Sequence, residues 1–162
     1  NRADYYISTT NVPTDCAPGT GVLRKAVFSH STHGFPSGNL LPLIDCVADF
    51  QVILGLDMNE DGQVGTYSNP DGSSLSGSEG ASVPDVQSTL TTSELLRKRL
   101  KEIRAYILTH EGKMDPNFTY PSNTITVGEF GLGKNFDLTS IANYQNYRWK
   151  VITMTAKPRN LE

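Results

Sequence analysis

This 162-residue chain lacks any large excess of charge of one sign. Lys and Arg number 14 against 17 Asp and Glu, a formal net charge of −3. That balance gives no general reason to expect nucleic acid or an anionic membrane as partner. Histidine is scarce: His30, His33 and His110. His30 and His33 form an HxxH, but at a strand end and in a loop, and two ligands do not make a zinc site. No apolar run approaches the ~20 residues that span a bilayer. GxSxG, P-loop and HExxH motifs are missing as well, so the chain offers no catalytic constellation.

Cysteine is nearly absent. Cys16 and Cys46 are alone, and neither stands in a CxxC. In an oxidising compartment they suggest one disulfide; in a reducing one they are two buried thiols. Cys16 sits in the Pro/Gly loop 11–21 with no orienting group nearby, which disfavours a nucleophile role. A bond to Cys46 is the better reading.

What is present is enough for one domain over residues 1–162, with 37% hydrophobic residues, 14 Gly and 9 Pro to supply loops. Strands are expected at 3–9, 22–30, 50–56, 103–110, 123–127 and 147–157, where β-branched and aromatic residues alternate with polar ones. Pro42 makes 40–44 a short edge piece at best. Asp45 is placed to cap one helical turn over 46–49. Thr91-x-x-Glu94 has capping-box spacing, and Leu95, Leu96, Leu100 and Ile103 make the apolar stripe of one short helix. The tract at 68–87, SNPDGSSLSGSEGASVPDVQ, is too polar to order itself by burial and reads as a long mobile surface loop.

Two clusters invite a chemical reading. In LDMNEDGQVGTY, residues 56–67, Asp57, Asn59 and Asp61 stand at alternate positions before Gly62. That matches positions 1, 3, 5 and 6 of a calcium loop, with Gln63 offering its carbonyl at position 7. The twelfth position is Ser68, and no helix flanks the loop, so it is not an EF-hand. A strand–loop–strand calcium site and a plain Asx-rich hairpin turn both remain open. The second cluster is basic: Arg97, Lys98, Arg99, Lys101 and Arg104. It can be read as an anion or DNA face, but cations in a last helical turn also complement the macrodipole, and no aromatic residue interleaves with them as single-strand binding favours.

The order of segments resembles a known family. PLIDCVADFQVILGLDMNEDGQVGTY is similar to the stretch of PilW-type minor pilins in which a short helix leads into a strand and a D-x-N/D-x-D-G turn. IRAYILTHEGK resembles that family's central strand, YRWKVITMTAKPRNL its C-terminal strand with the RN-L ending, and ADYYIS its first strand. The resemblance runs from Ala3 to Leu161. It implies an α+β pilin-like globular head: a mostly antiparallel sheet, one short amphipathic helix and long loops. It also implies a long apolar N-terminal helix that precedes this segment, anchors it in the inner membrane and packs in the pilus core; the start at Asn1 is the expected result of removing it.

By the same resemblance the function is structural. The head is periplasmic, where a Cys16–Cys46 disulfide persists, and later forms part of the extracellular pilus. Its partners are other minor pilins and the major pilin, in a complex that primes or caps pilus assembly, with no small-molecule substrate. The rivals are a pseudopilin of type II secretion, a DNA- or surface-binding module at a pilus tip, resting on the basic cluster, and a secreted enzyme. The long 68–87 tract and the cysteine pair are not features the resemblance supplies.

Overall fold

The computed structural model describes residues 2–36, 38, 40–77 and 79–158. The Arg159-Asn160-Leu161 ending and the start at Asn1 lie outside them. Strand takes 43% of the structure and helix 15%, with two α-helices. The expected α+β pilin-like head with a lone helix is therefore corrected to a sheet-dominated fold. The antiparallel character is retained.

The strands are β1 (Ala3–Ser8), β2 (Gly21–Val27), β3 (Leu40–Leu56), β4 (Thr66–Ser68), β5 (Leu75–Ser76), β6 (Leu100–Glu111), β7 (Thr124–Val127), β8 (Lys134–Asp137) and β9 (Arg148–Ala156). The helices are α1 (Val83–Thr91) and α2 (Ser93–Arg99). Pairing runs β1-β2-β3-β4-β5, with β6 joined to both β3 and β9, while β7 and β8 form a separate hairpin.

The chain divides into two compact units, each assembled from separated segments. The first comprises residues up to Phe50, Ile107–Ile125 and Phe136–Ile152. In it β1 lies antiparallel to β2 and β2 to β3, with Tyr6 opposite Arg24 and Arg24 opposite Pro42. The apolar alternation places Leu23, Val47 and Ile107 together, with Ile7, Ile44, Phe50 and Ile152 packed on them. Each such buried side chain contributes about 1.5–3 kcal/mol relative to exposure. Gly21 is obligatory here, because a Cβ would fall 2.6 Å from the Ile7 side chain and 2.7 Å from the Ser8 carbonyl oxygen.

A single strand replaces the broken segment expected at 40–49. No helical turn forms over 46–49, and Pro42 is part of the strand. The reason is a bulge. Between the pairs Gly21↔Val47 and Leu23↔Ile44, β3 advances three residues while β2 advances two. Cys46 takes up the extra residue in the left-handed region at φ 57°. Thr109 on β6 braces the bulge, its hydroxyl donating to the carbonyls of Asp45 (2.9 Å) and Cys46 (3.1 Å).

Next to it lies the Cys16–Cys46 disulfide, which closes a separation of 30 residues with Cα atoms 4.8 Å apart. His110, 5% exposed, accepts a hydrogen bond at Nε2 from the Ala17 N–H at 2.9 Å, under the rings of Tyr147 and Trp149. Burial pushes its pKa below the usual histidine value. The unfolded chain takes up a proton near pH 6.5 and the folded chain only at lower pH. Stability should therefore fall as pH drops below about 6.5, by at most about 1.4 kcal/mol per pH unit, and level off below the folded pKa. The carboxylates held low by partners, such as Glu111 beside Lys150 and Asp115 beside Arg148, act only at more acid pH. Urea melts of wild type and His110→Gln between pH 7 and 5 check this: parallel curves would show that His110 does not carry the slope.

The second unit comprises Gln51–Tyr106, Thr126–Asn135 and the residues from Thr153 on. Here β3 pairs antiparallel with β4, Leu54 opposite Ser68 and Leu56 opposite Thr66. Ile53, Gly55 and Leu56 are the buried positions of this part of β3. The returning strand, β4, starts at Thr66.

The 68–87 tract holds the end of β4, the whole of β5 and the start of α1. Local polar bonds supply the order that apolar burial cannot. Asn69 Oδ1 accepts from the Ser74 N–H at 3.0 Å and Asp71 Oδ1 from the Ser73 N–H at 2.9 Å. Ser82 and Asp85 form a reciprocal capping box that starts α1, and Val86 and Thr89 bury its inner face.

The expected single helix over Thr91–Ile103 is thus two. α1 ends at Thr91, α2 runs Ser93–Arg99 without a side-chain cap, and Leu100 and Ile103 belong to β6. A chain of mutual contacts follows on β6: Arg104 pairs with buried Glu102 and with Glu129, and its guanidinium lies over the stacked rings of Tyr67 and Phe130. Tyr106 donates its hydroxyl proton to Glu129 at 2.8 Å, and burial first, then that bond, pushes its pKa up to about 12.

Candidate cation site in the turn after β3

Asp57 follows the last residue of β3 and is 2% exposed. Its N–H donates to the Arg99 carbonyl at 2.9 Å, which ties the start of the turn to the end of α2. Its carboxylate faces into the turn. Oδ1 accepts from the Asp61 N–H at 3.0 Å and Oδ2 from the Gly62 N–H at 2.8 Å. Asn59 Oδ1 accepts from the Asp61 N–H at 3.1 Å, and Asp61 Oδ1 from the Gln63 N–H at 2.8 Å. Gly62 sits at φ 91° and Glu60 at φ 65°, the left-handed steps that let so short a segment reverse.

The turn therefore brings Asp57, Asn59 and Asp61 together as their spacing implies. Each carboxylate oxygen that accepts an amide keeps a second lone pair. A hard cation would be held by oxygens of Asp57, Asn59 and Asp61 with the Gln63 carbonyl, a donor set that fits calcium.

Three features were not readable from the local motif. The ammonium of Lys101, on β6, lies 3.8 Å from Asp57 Oδ2. It already supplies positive charge at the edge of the turn. Glu60, the fourth residue of the motif, points away to Lys98 and to Arg99, whose Nε and Nη2 each donate to it at 3.2 Å. The Lys98 ammonium, and then Arg99, hold the Glu60 carboxyl below the usual range. Glu79 adds a third tie: its Oε2 accepts from the Met58 N–H at 3.0 Å. Its carboxylate crosses Gly65 so closely that a Cβ there would fall 1.8 Å from Oε1. The one Glu of the Ser/Gly tract is the only sequence signal of that contact.

The basic cluster is mostly spoken for. Lys98 and Arg99 meet Glu60, Lys101 meets Asp57, and Arg104 meets Glu102 and Glu129. Arg97 lines an open hollow of about 730 Å³ beside the turn, but the walls of that hollow also carry Asp57, Glu60 and Glu94. An anion or nucleic acid meets mixed charge there, so the arrangement favours the turn-bracing role of these cations over the DNA face. Leu96 and Leu100, expected to be buried, are half-buried; of Arg97, Lys98 and Arg99, expected to be solvated, Arg97 and Lys98 are exposed and Arg99 is half-buried.

No protein-family model, no curated protein and no solved structure matches the chain.

Proposed function

We propose that this chain is the head of a type IV pilus minor pilin of the PilW type, a structural subunit that acts through protein contacts. One observation carries the reading. Three of the four segments that resemble that family contain β3, β6 and β9, and β6 pairs with both of the others. Segments scattered over the sequence thus meet as neighbouring strands. A disulfide that joins two loop-and-bulge positions agrees with a periplasmic head. Among the described residues no helix is long and apolar enough to cross a membrane, so anchoring in the inner membrane is assigned to the N-terminal helix of the family.

In-frame deletion of the full-length gene tests this. Loss of surface pili, with recovery of the tagged full-length protein in a complex with other minor pilins, is the expected result. Normal piliation with a defect in protein secretion would favour the pseudopilin instead. Normal piliation and secretion together would sink both.

Calcium in the Asp57–Gln63 turn belongs to the same reading, as a brace for a loop at a subunit interface. Calcium must compete with Lys101, so weak affinity suited to millimolar extracellular calcium is expected. Binding to the folded state raises the melting temperature by mass action. Asp61→Ala should remove that increment and leave the calcium-free protein folded, while Lys101→Gln should enlarge it. Thermal scans in chelator and in excess calcium that superimpose would reduce the motif to a turn.

A further inference from the structure

Arg24, at the centre of β2, and the exposed Arg97 are the two arginines that meet no carboxylate among the described residues. Arg2, Arg99, Arg104 and Arg148 each meet one. Among the described residues Arg24 makes one hydrogen bond, from Nη2 to the Thr10 carbonyl at 3.1 Å, and its Nε is buried with no partner. It stands on its strand between buried Val22 and Ala26. A guanidinium carries five N–H donors, and holding one partly out of water without a counter-charge is unfavourable. The neck of the side chain is thus fixed and its charge uncompensated.

The group opens onto a hollow of about 340 Å³ lined by Tyr6, Ser8, Thr10, Asn11, Arg24 and Leu40. Among the described residues no carboxylate lines it. Ser8 accepts the Thr10 N–H at its Oγ, so its hydroxyl proton remains to donate. Tyr6 faces Arg24 across the β1–β2 pair. The wall therefore offers one cation, three hydroxyls, one carboxamide and the apolar surface of Leu40 and the Tyr6 ring.

We propose that this hollow binds a carboxylated sugar, with the carboxylate on the Arg24 fork and the sugar hydroxyls on Ser8, Thr10 and Asn11. A single guanidinium balances a monoanion and suits the two oxygens of a carboxylate. The ring of hydroxyl and amide groups suits a polyol, and the apolar wall suits the C–H face of a pyranose. The volume suits one sugar unit. The site lies within the first unit and stands whether or not the pilus reading does.

Galacturonate titrated into the ¹⁵N-labelled chain tests the proposal. Saturable shifts at Tyr6, Ser8, Asn11 and Arg24 are expected, with a dissociation constant in the millimolar range. Arg24→Met should weaken binding about tenfold or more, as loss of a charged hydrogen bond implies, and uncharged galactose should bind as weakly. Asn11→Asp is the second variant: Asn11 has φ 55°, which Asp tolerates, and the added carboxylate should repel the ligand. It decides the matter if Arg24→Met does not fold. Absence of saturable shifts, or unchanged affinity in both variants, overturns the site. Equal binding of acetate or sulfate overturns the sugar and leaves a simple anion site only.

Discussion

Replacing Cys16 and Cys46 together by Ala should lower the melting temperature by about 10 °C. The disulfide closes a separation of 30 residues, and loop-closure entropy of that size corresponds to about 3–4 kcal/mol. For a domain of this size each kcal/mol moves the midpoint by about 2–4 °C. The local structure makes a full effect credible. Cys46 is a bulge residue at φ 57°, and the loop of Cys16 is held otherwise by the Ala17 N–H on His110. Freeing Cys16 loosens the chain that satisfies His110, so the two clamps should couple. A double-mutant comparison with His110→Gln should then show less than additive losses. Melting in the presence and absence of reductant, with alkylation to count free thiols, is the direct measurement. Superimposable melts of oxidised and fully reduced protein would overturn the expectation.

Asp57→Ala should be the most damaging change in the turn, at about 2–3 kcal/mol. It removes a buried carboxylate that accepts two amide hydrogen bonds and faces the Lys101 ammonium, and hydrogen bonds to a charged group contribute about 1.5–3 kcal/mol. Water can reach the exposed amides of Asp61 and Gly62, which keeps the loss below a simple sum. Asp61→Ala, which leaves an exposed turn open to solvent, should cost well under half as much. Denaturant unfolding of both variants in chelator decides the order. A smaller loss for Asp57→Ala than for Asp61→Ala would mean that the buried carboxylate does not organise the turn.

Much of this was legible where one short-range rule acts alone. The start of β9 alternates, with Trp149 buried between exposed Arg148 and Lys150 and Tyr147 buried just before the strand, and the turn after β3 closes as its Asx spacing dictates. Beyond Val151 the alternation fails, because Ile152 packs on the core while Thr153 and Thr155 are exposed. The misread elements are places where two rules compete. Both Ser82-x-x-Asp85 and Thr91-x-x-Glu94 have capping-box spacing. The first wins because Pro84 suits the first turn of a helix and α1 buries Val86 and Thr89; the second becomes a break. Pro42 and Asp45, a residue suited to cap a helical turn, argue against a strand, yet register with β2 and the Thr109 brace carry β3 through both. The candidate site was legible in its local oxygens but not in its countercharges. Lys101 reaches Asp57 from another strand, and Glu79 reaches Met58 across the Ser/Gly tract, pairings that only the fold creates.

The interleaving of segments has a kinetic consequence. β3, β6 and β9 each run through both units, and each unit is stitched from three stretches of chain. Neither unit corresponds to a continuous piece of sequence, so no single cut yields half of the protein intact. The pairing of β3 with β6 must close a long intervening loop before the inner strands gain anything from meeting. Chains dominated by such distant pairings fold in milliseconds to seconds rather than microseconds. A chain built this way should collapse late and as a whole, leaving its strand edges open to other chains while it waits.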